Sequence, residues 1–184
     1  PTSGARVTED SHNRPGAGWR TTVLRMSRPD APAGVTFASF SALGLPAGIE
    51  IARAASEMGF GSFWTAETVG QEAFASLAAV AVAVPGLGLG TGVLALQLRT
   101  PMLAVMGAAT LQSLAPDADV LLGVGISSPV VVGRWHGAHY GDHPVAQVRE
   151  YLELARNCLS GEAVTHEGAH YSCSKFRLGV RLGD

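Results

Sequence analysis

Four times between residues 35 and 160 a short apolar run is followed by a helix-patterned segment, and this alternation limits the fold more than any other feature of the chain. The runs are GVTFASF (34–40), FGSFWTAE (60–67), the glycine-rich stretch from about 87, and DADVLLGVGI (117–126). The intervening segments carry helix punctuation. Pro46 suits a first turn and Gly59 a stop; Pro85 ends QEAFASLAAVAVAV; Thr100 is a cap with Pro101 in the first turn; Pro144 opens and Gly161 closes the last helix. In the first of these helices Ile49, Ala52, Ala55 and Met58 keep helical spacing and predict its buried face. Strands that alternate with helices form a parallel sheet under helical cover. Two architectures fit: an open doubly wound sheet, or a partial TIM (β/α)8 barrel. A full barrel takes about 250 residues for eight units, and four units are half of one.

The stretch VPGLGLGTGVLALQLR (84–99) has glycine at every second place: Gly86, Gly88, Gly90 and Gly92. It is not a phosphate loop. The dinucleotide fingerprint needs G-x-G-x-x-G, and the sixth position is Thr91 or Val93 in the two possible frames; a Walker loop needs Gly-Lys, and no lysine is near. Nor is it a membrane span. No charge lies between Glu72 and Arg99, but Pro85 and the glycines interrupt any helix there. As a strand, it has one bare face, with Leu87, Leu89 and Thr91 on the other. The bare face suits either close packing by a helix or the approach of a flat ligand near Gly92. Leu89 to Leu94 are expected to be β and buried.

The net charge of −2 gives no electrostatic footprint for nucleic acid. Cys158 and Cys173 are too few for a disulfide scaffold and read as reduced thiols of a cytoplasmic protein. Residues 1–34 are rich in Pro, Gly, Ser and Arg, lack an apolar period, and read as a flexible tail. HEGAH (166–170) formally matches a zinc-protease motif, but EAVTHEGAHYS alternates like a hairpin rather than a helix, so no metal is assigned. RWHGAHYGDH (134–143) reads as a loop at the C-terminal end of the fourth strand, with Trp135 and His136 as pocket-wall candidates.

Glu67, in FWTAET, is an acid at the end of a buried strand. Such a carboxylate is solvated, used, or paired with a lysine or arginine that the sequence does not identify. Ser127 and Ser128, in GVGISSP, either donate to a ligand or cap the next turn.

The ordered series GIEIARAASEMGFGSFWTAET, LGLGTGVLALQLRTPMLAVMGAATLQSLAP, LLGVGISSPVVVGRWHGAHYGDHP and VREYLELARNCLSGEAVTHEGAHY resembles the luciferase-like flavin and deazaflavin oxidoreductases, most closely their coenzyme F420 branch. The resemblance runs over about 35–172, taken as the N-terminal half of the barrel. It implies hydride transfer between F420 and an organic substrate, with FMN as the second choice of cofactor. It places the family's acid on Glu67 at the ring's polar edge, as a catalytic and binding residue. The bulge behind the ring, often a non-prolyl cis peptide, falls on Gly92–Val93, and the fourth-strand turn falls on Ile126 and Ser127. Thr68 stands where the glucose-6-phosphate type has histidine, and Ser127–Ser128 replace its Gly-Glu, so that substrate and its acid/base pair are not implied. After Tyr171 the pattern departs, and 173–184 read as an aberrant tail of a truncated chain. Open sheet edges imply a homo-oligomer. An inactive self-associating half-barrel is the competing expectation.

Overall fold

The computed structural model describes residues 32–180; nearly all of the tail expected over 1–34 lies outside these, as do residues 181–184. Strands β1 (Gly34–Thr36), β2 (Ser62–Thr65), β3 (Gly88–Thr91) and β5 (Val120–Leu121) form one parallel sheet in the order β1-β2-β3-β5. Two further short strands, β4 (Leu94–Ala95) and β6 (Val124–Gly125), pair in parallel beyond β3 and β5. Sequence order and spatial order run together without the reversal that a doubly wound sheet requires. The fold is a parallel α/β sheet wound as in part of a TIM barrel.

Helices α1 (Gly44–Glu57), α2 (Ala73–Ala83), α3 (Pro101–Leu114) and α4 (Pro144–Cys158) follow the strands in turn. Their boundaries have local causes. The Thr100 side chain accepts a hydrogen bond from Leu103 N, with Pro101 in the first turn. The Glu72 side chain does the same for Ala75 N at α2. Gly59 and Gly161 leave α1 and α4 at φ of 84° and 79°, a conformation that glycine adopts without a Cβ clash.

One register row across the sheet, Val35–Phe63–Leu89–Val120, points toward the helices. Phe63, Leu89 and Val120 are buried with Ala52, Leu77, Val80, Ala108 and Leu111. Burying a side chain of this size contributes about 1.5–3 kcal/mol. In α1 the inward residues are Gly48, Ala52 and Ala55; Met58 is at the helix end and exposed, against its expected place on the buried face. A second cluster joins α3 and α4 around Leu96, Val105, Tyr151 and Leu154.

The third and fourth strands differ from the unbroken runs expected. Gly92 and Val93 are exposed and lie between β3 and β4, so the burial expected from Leu89 to Leu94 fails at these two residues. The reason lies in the pairing. The Thr91 hydroxyl donates to Gly123 O at 2.8 Å and accepts from Gly123 N at 2.9 Å, so a side chain takes the place of a ladder partner. The Gly92–Val93 peptide bond is cis, at the position the resemblance implied.

Over Gly90 and Gly92 the bare face is covered by Trp64 of the neighbouring strand, not by a helix, while Gly88 lies against Gly61 and Ser62. A Cβ on Gly90 would lie 2.3 Å from Trp64 Cε3, whereas one on Gly92 would lie at 3.3 Å. The indole N–H donates to Ser62 Oγ at 2.8 Å.

The segment HEGAH lies in an antiparallel hairpin of β7 (Val164–Glu167) and β8 (Ser172–Phe176). Pairing therefore continues into the expected C-terminal tail, and Leu178 beyond it is buried.

Candidate functional site

The parallel strands send all their C-terminal ends to one rim, where α/β folds of this kind bind ligands. Glu67 follows β2, Gly92–Val93 follow β3, and Ile126–Ser127 follow β6. The backbone draws the first two groups together: Gly92 N donates to Thr65 O at 2.6 Å, and Glu67 N donates to Val93 O at 3.4 Å. Across the rim the Val93 side chain leaves no room at Gly125, where a Cβ would lie 2.9 Å from Val93 Cγ2. Val93 and Ile126 are 42% and 38% exposed, so two apolar side chains at the strand ends face outward. Ser127 is partly exposed beside them. Ser128 instead caps the following turn of π-helix (Val130–Trp135), its hydroxyl accepting from Val131 N at 3.2 Å.

Glu67 is paired. Arg99 Nε donates to Glu67 Oε2 at 3.0 Å and Arg99 Nη2 to Oε1 at 2.6 Å; Ala73 N adds a bond to Oε1 at 3.2 Å. Arg99 Nη2 also pairs with Glu72, and the guanidinium lies 5.3 Å from the Phe74 ring centroid. Burial opposes the charged form of Glu67, but the Arg99 hydrogen bonds, the Ala73 N–H and the Arg99 charge together hold its carboxyl below the ordinary range. The bond to Glu67 is also the largest influence on Arg99 and keeps the guanidinium protonated. Glu67 is therefore an anion that accepts hydrogen bonds.

Arg99 is the pairing partner that the sequence left unidentified. Its signal was present: Glu72 and Arg99 bracket the charge-free stretch, and the fold brings these two ends together. Glu67, Thr68, Glu72, Arg99, Leu103 and His136 line a cleft of about 420 Å³. His136 Nε2 lies 2.6 Å from Thr68 O, joining the loops after β2 and β6. Trp135 is exposed and lines no part of this cleft.

The formal zinc motif is engaged elsewhere. Glu150 of α4 accepts from His166 Nε2 at 3.2 Å, Tyr171 N at 2.9 Å and His170 N at 3.1 Å, which fastens the hairpin to the helix. Burial would raise the Glu150 carboxyl, but these donors keep it below its ordinary range. Among the described residues no three His, Cys, Asp or Glu side chains converge to hold a metal. No helix among them is long and apolar enough to cross a membrane.

Comparison with known proteins gives the family and the fold. The family model for luciferase-like monooxygenases matches residues 29–181. A Mycobacterium tuberculosis protein named as a coenzyme F420-dependent oxidoreductase is 37% identical over 123 residues, which is 66% of this chain and 35% of that protein. The F420-dependent tetrahydromethanopterin reductase of Methanopyrus kandleri superposes with a TM-score of 0.72 at 17% identity, over 82% of this chain and 46% of its own. The FMN-bound oxygenating component of 3,6-diketocamphane monooxygenase from Pseudomonas putida gives a TM-score of 0.66 at 18% identity, over 80% and 44%. The chain thus spans half or less of the length of each of these relatives. With the family match running over most of its length and the rim built as described, the chain belongs to the luciferase-like monooxygenase family.

Proposed function

We propose that the chain carries the cofactor-ring platform of an F420-dependent oxidoreductase that transfers hydride to or from an organic substrate. The observation that carries this reading is the rim itself: exposed Gly92, flanked by outward-facing Val93 and Ile126, with the anionic Glu67 tied to Val93 through the backbone. The residues present fit a flat ring. Gly92 adds no side chain to the platform, and a Cβ there would meet only Trp64. A bound deazaflavin supplies a ring carbon that accepts or gives a hydride. Val93 and Ile126 keep water from one face of the ring. Glu67 accepts a hydrogen bond from an N–H on the ring's polar edge. Ser127 donates from the turn after β6.

F420 is preferred to FMN because the 37%-identical relative is named for F420. The FMN-bound structural neighbour supports FMN-dependent monooxygenation as the second reading. Titration of the full chain with each cofactor, followed by fluorescence, separates the two. Saturable binding of F420 in preference to FMN is expected, and Val93→Asp should weaken it by about tenfold or more, the equivalent of one lost well-placed contact. Tighter binding of FMN would favour the monooxygenase reading. Absence of binding to either at high micromolar concentration overturns the proposal and favours an inactive half-barrel.

A further inference from the structure

Among the described residues Arg99 makes no hydrogen bond or ion pair with Gly92, Val93 or the turn after β6, yet it organises the charged side of the rim. Its guanidinium meets Glu67 with two N–H groups, the forked geometry that a lysine cannot reproduce. Its backbone adjoins the α3 cap Thr100, and its second carboxylate partner, Glu72, is the cap of α2. Two helix N-termini therefore brace one fork. A carboxylate has about four acceptor positions. Arg99 Nη2 and Ala73 N use two of them on Oε1 and Arg99 Nε uses one on Oε2, which leaves an acceptor position on Oε2. The backbone of the same Glu67 donates to Val93 O, so a shift of Glu67 is transmitted to the platform residue.

We propose that Arg99 is a positioning residue for the cofactor ring, acting through Glu67: its fork aims the one free acceptor of the carboxylate and steadies Val93. This rests on the reading of Glu67 and Gly92–Val93 as ring contacts. A surface ion pair with only a stabilising role would leave ring binding to Glu67 and Val93 alone.

The test is a double-mutant cycle on cofactor affinity in the full chain, using Arg99→Gln, Glu67→Gln and the pair, with F420 and FMN as the probes. Arg99→Gln should weaken the preferred cofactor by about tenfold, as loss of a charged hydrogen bond implies. The double variant should bind no more weakly than Glu67→Gln alone. Arg99→Lys, which keeps the charge and loses the fork, should stay weakened while melting near the wild-type temperature. Losses that multiply in the double variant, or wild-type affinity in Arg99→Lys, overturn the positioning role while leaving the cofactor reading intact. Failure of the wild-type chain to bind either cofactor overturns the cofactor reading and this role with it. A readout free of cofactor accompanies the cycle: the carbon-13 titration of the Glu67 carboxyl should move to higher pH in Arg99→Gln, and an unchanged midpoint counts against the proposal.

Discussion

An alanine at Gly90 would place its methyl carbon 2.3 Å from Trp64 Cε3, so either the indole or the strand must shift. The expected cost of this overpacking is about 1–3 kcal/mol, read from the urea midpoint. Trp64→Phe in the same chain should recover part of it. Gly123→Ala should cost more, because its neighbour at 2.1 Å is the backbone oxygen of Thr91, which cannot swing aside. The alternating glycines and their bare face were legible in the sequence. Trp64 as the covering group was not, because it arrives from another strand through the register Trp64↔Gly90. Glu67 was legible in the same partial way: its place at a strand end drew attention, but a pairing across 32 positions to Arg99 leaves no periodic trace. The pairing predicts a pH dependence. A carboxyl held below its ordinary value contributes stability that is fully present above the unfolded carboxylate range and lost as pH falls through the lower folded value. The stability gap between wild type and Glu67→Gln should therefore be widest near neutral pH and close on acidification. A gap that is constant with pH would refute the linkage.

Helix ends were the most legible elements, since capping is local chemistry written in adjacent residues. Thr100, Pro101, Pro144 and Gly161 fall at the boundaries they marked. Thr100→Ala removes the bond to Leu103 N and should cost about 1 kcal/mol, a fall in melting temperature of about 2–4 °C for a domain of this size. The breaks within the third and fourth strands were not legible. They depend on Thr91 bonding to Gly123 across the sheet, and a strand's apolar run does not announce which of its hydroxyls will replace a ladder partner. The hairpin was legible from its alternation, but its anchorage was not: Glu150 reaches it from a helix that precedes it. Glu150→Gln should loosen the hairpin selectively, seen as faster amide exchange at His170 and Tyr171 with little change across β1–β3.

For the whole molecule, the order β1-β2-β3-β5 places β1 and β5 at the two ends of the described sheet, each with one neighbour. Unpaired strand edges attract further strands. The chain by itself should self-associate, giving a light-scattering mass that rises with concentration. A monomer mass at every concentration up to the solubility limit would contradict this. Strand-helix alternation made the parallel architecture readable from the sequence; the number of units that cooperate in one folded body is a question of edge pairing, which periodicity does not encode.

The indole over the glycine face also gives the protein an optical handle. Trp64 is partly shielded, with Cε3 close to Gly92 at the base of the rim, whereas Trp135 is 56% exposed. With the third tryptophan removed as Trp19→Phe, Trp64 and Trp135 should emit at different wavelengths and differ in their access to a soluble quencher. A chromophore seated on the platform would dim the bluer of the two emissions, so occupancy of the rim can be followed in the unlabelled chain without waiting for turnover.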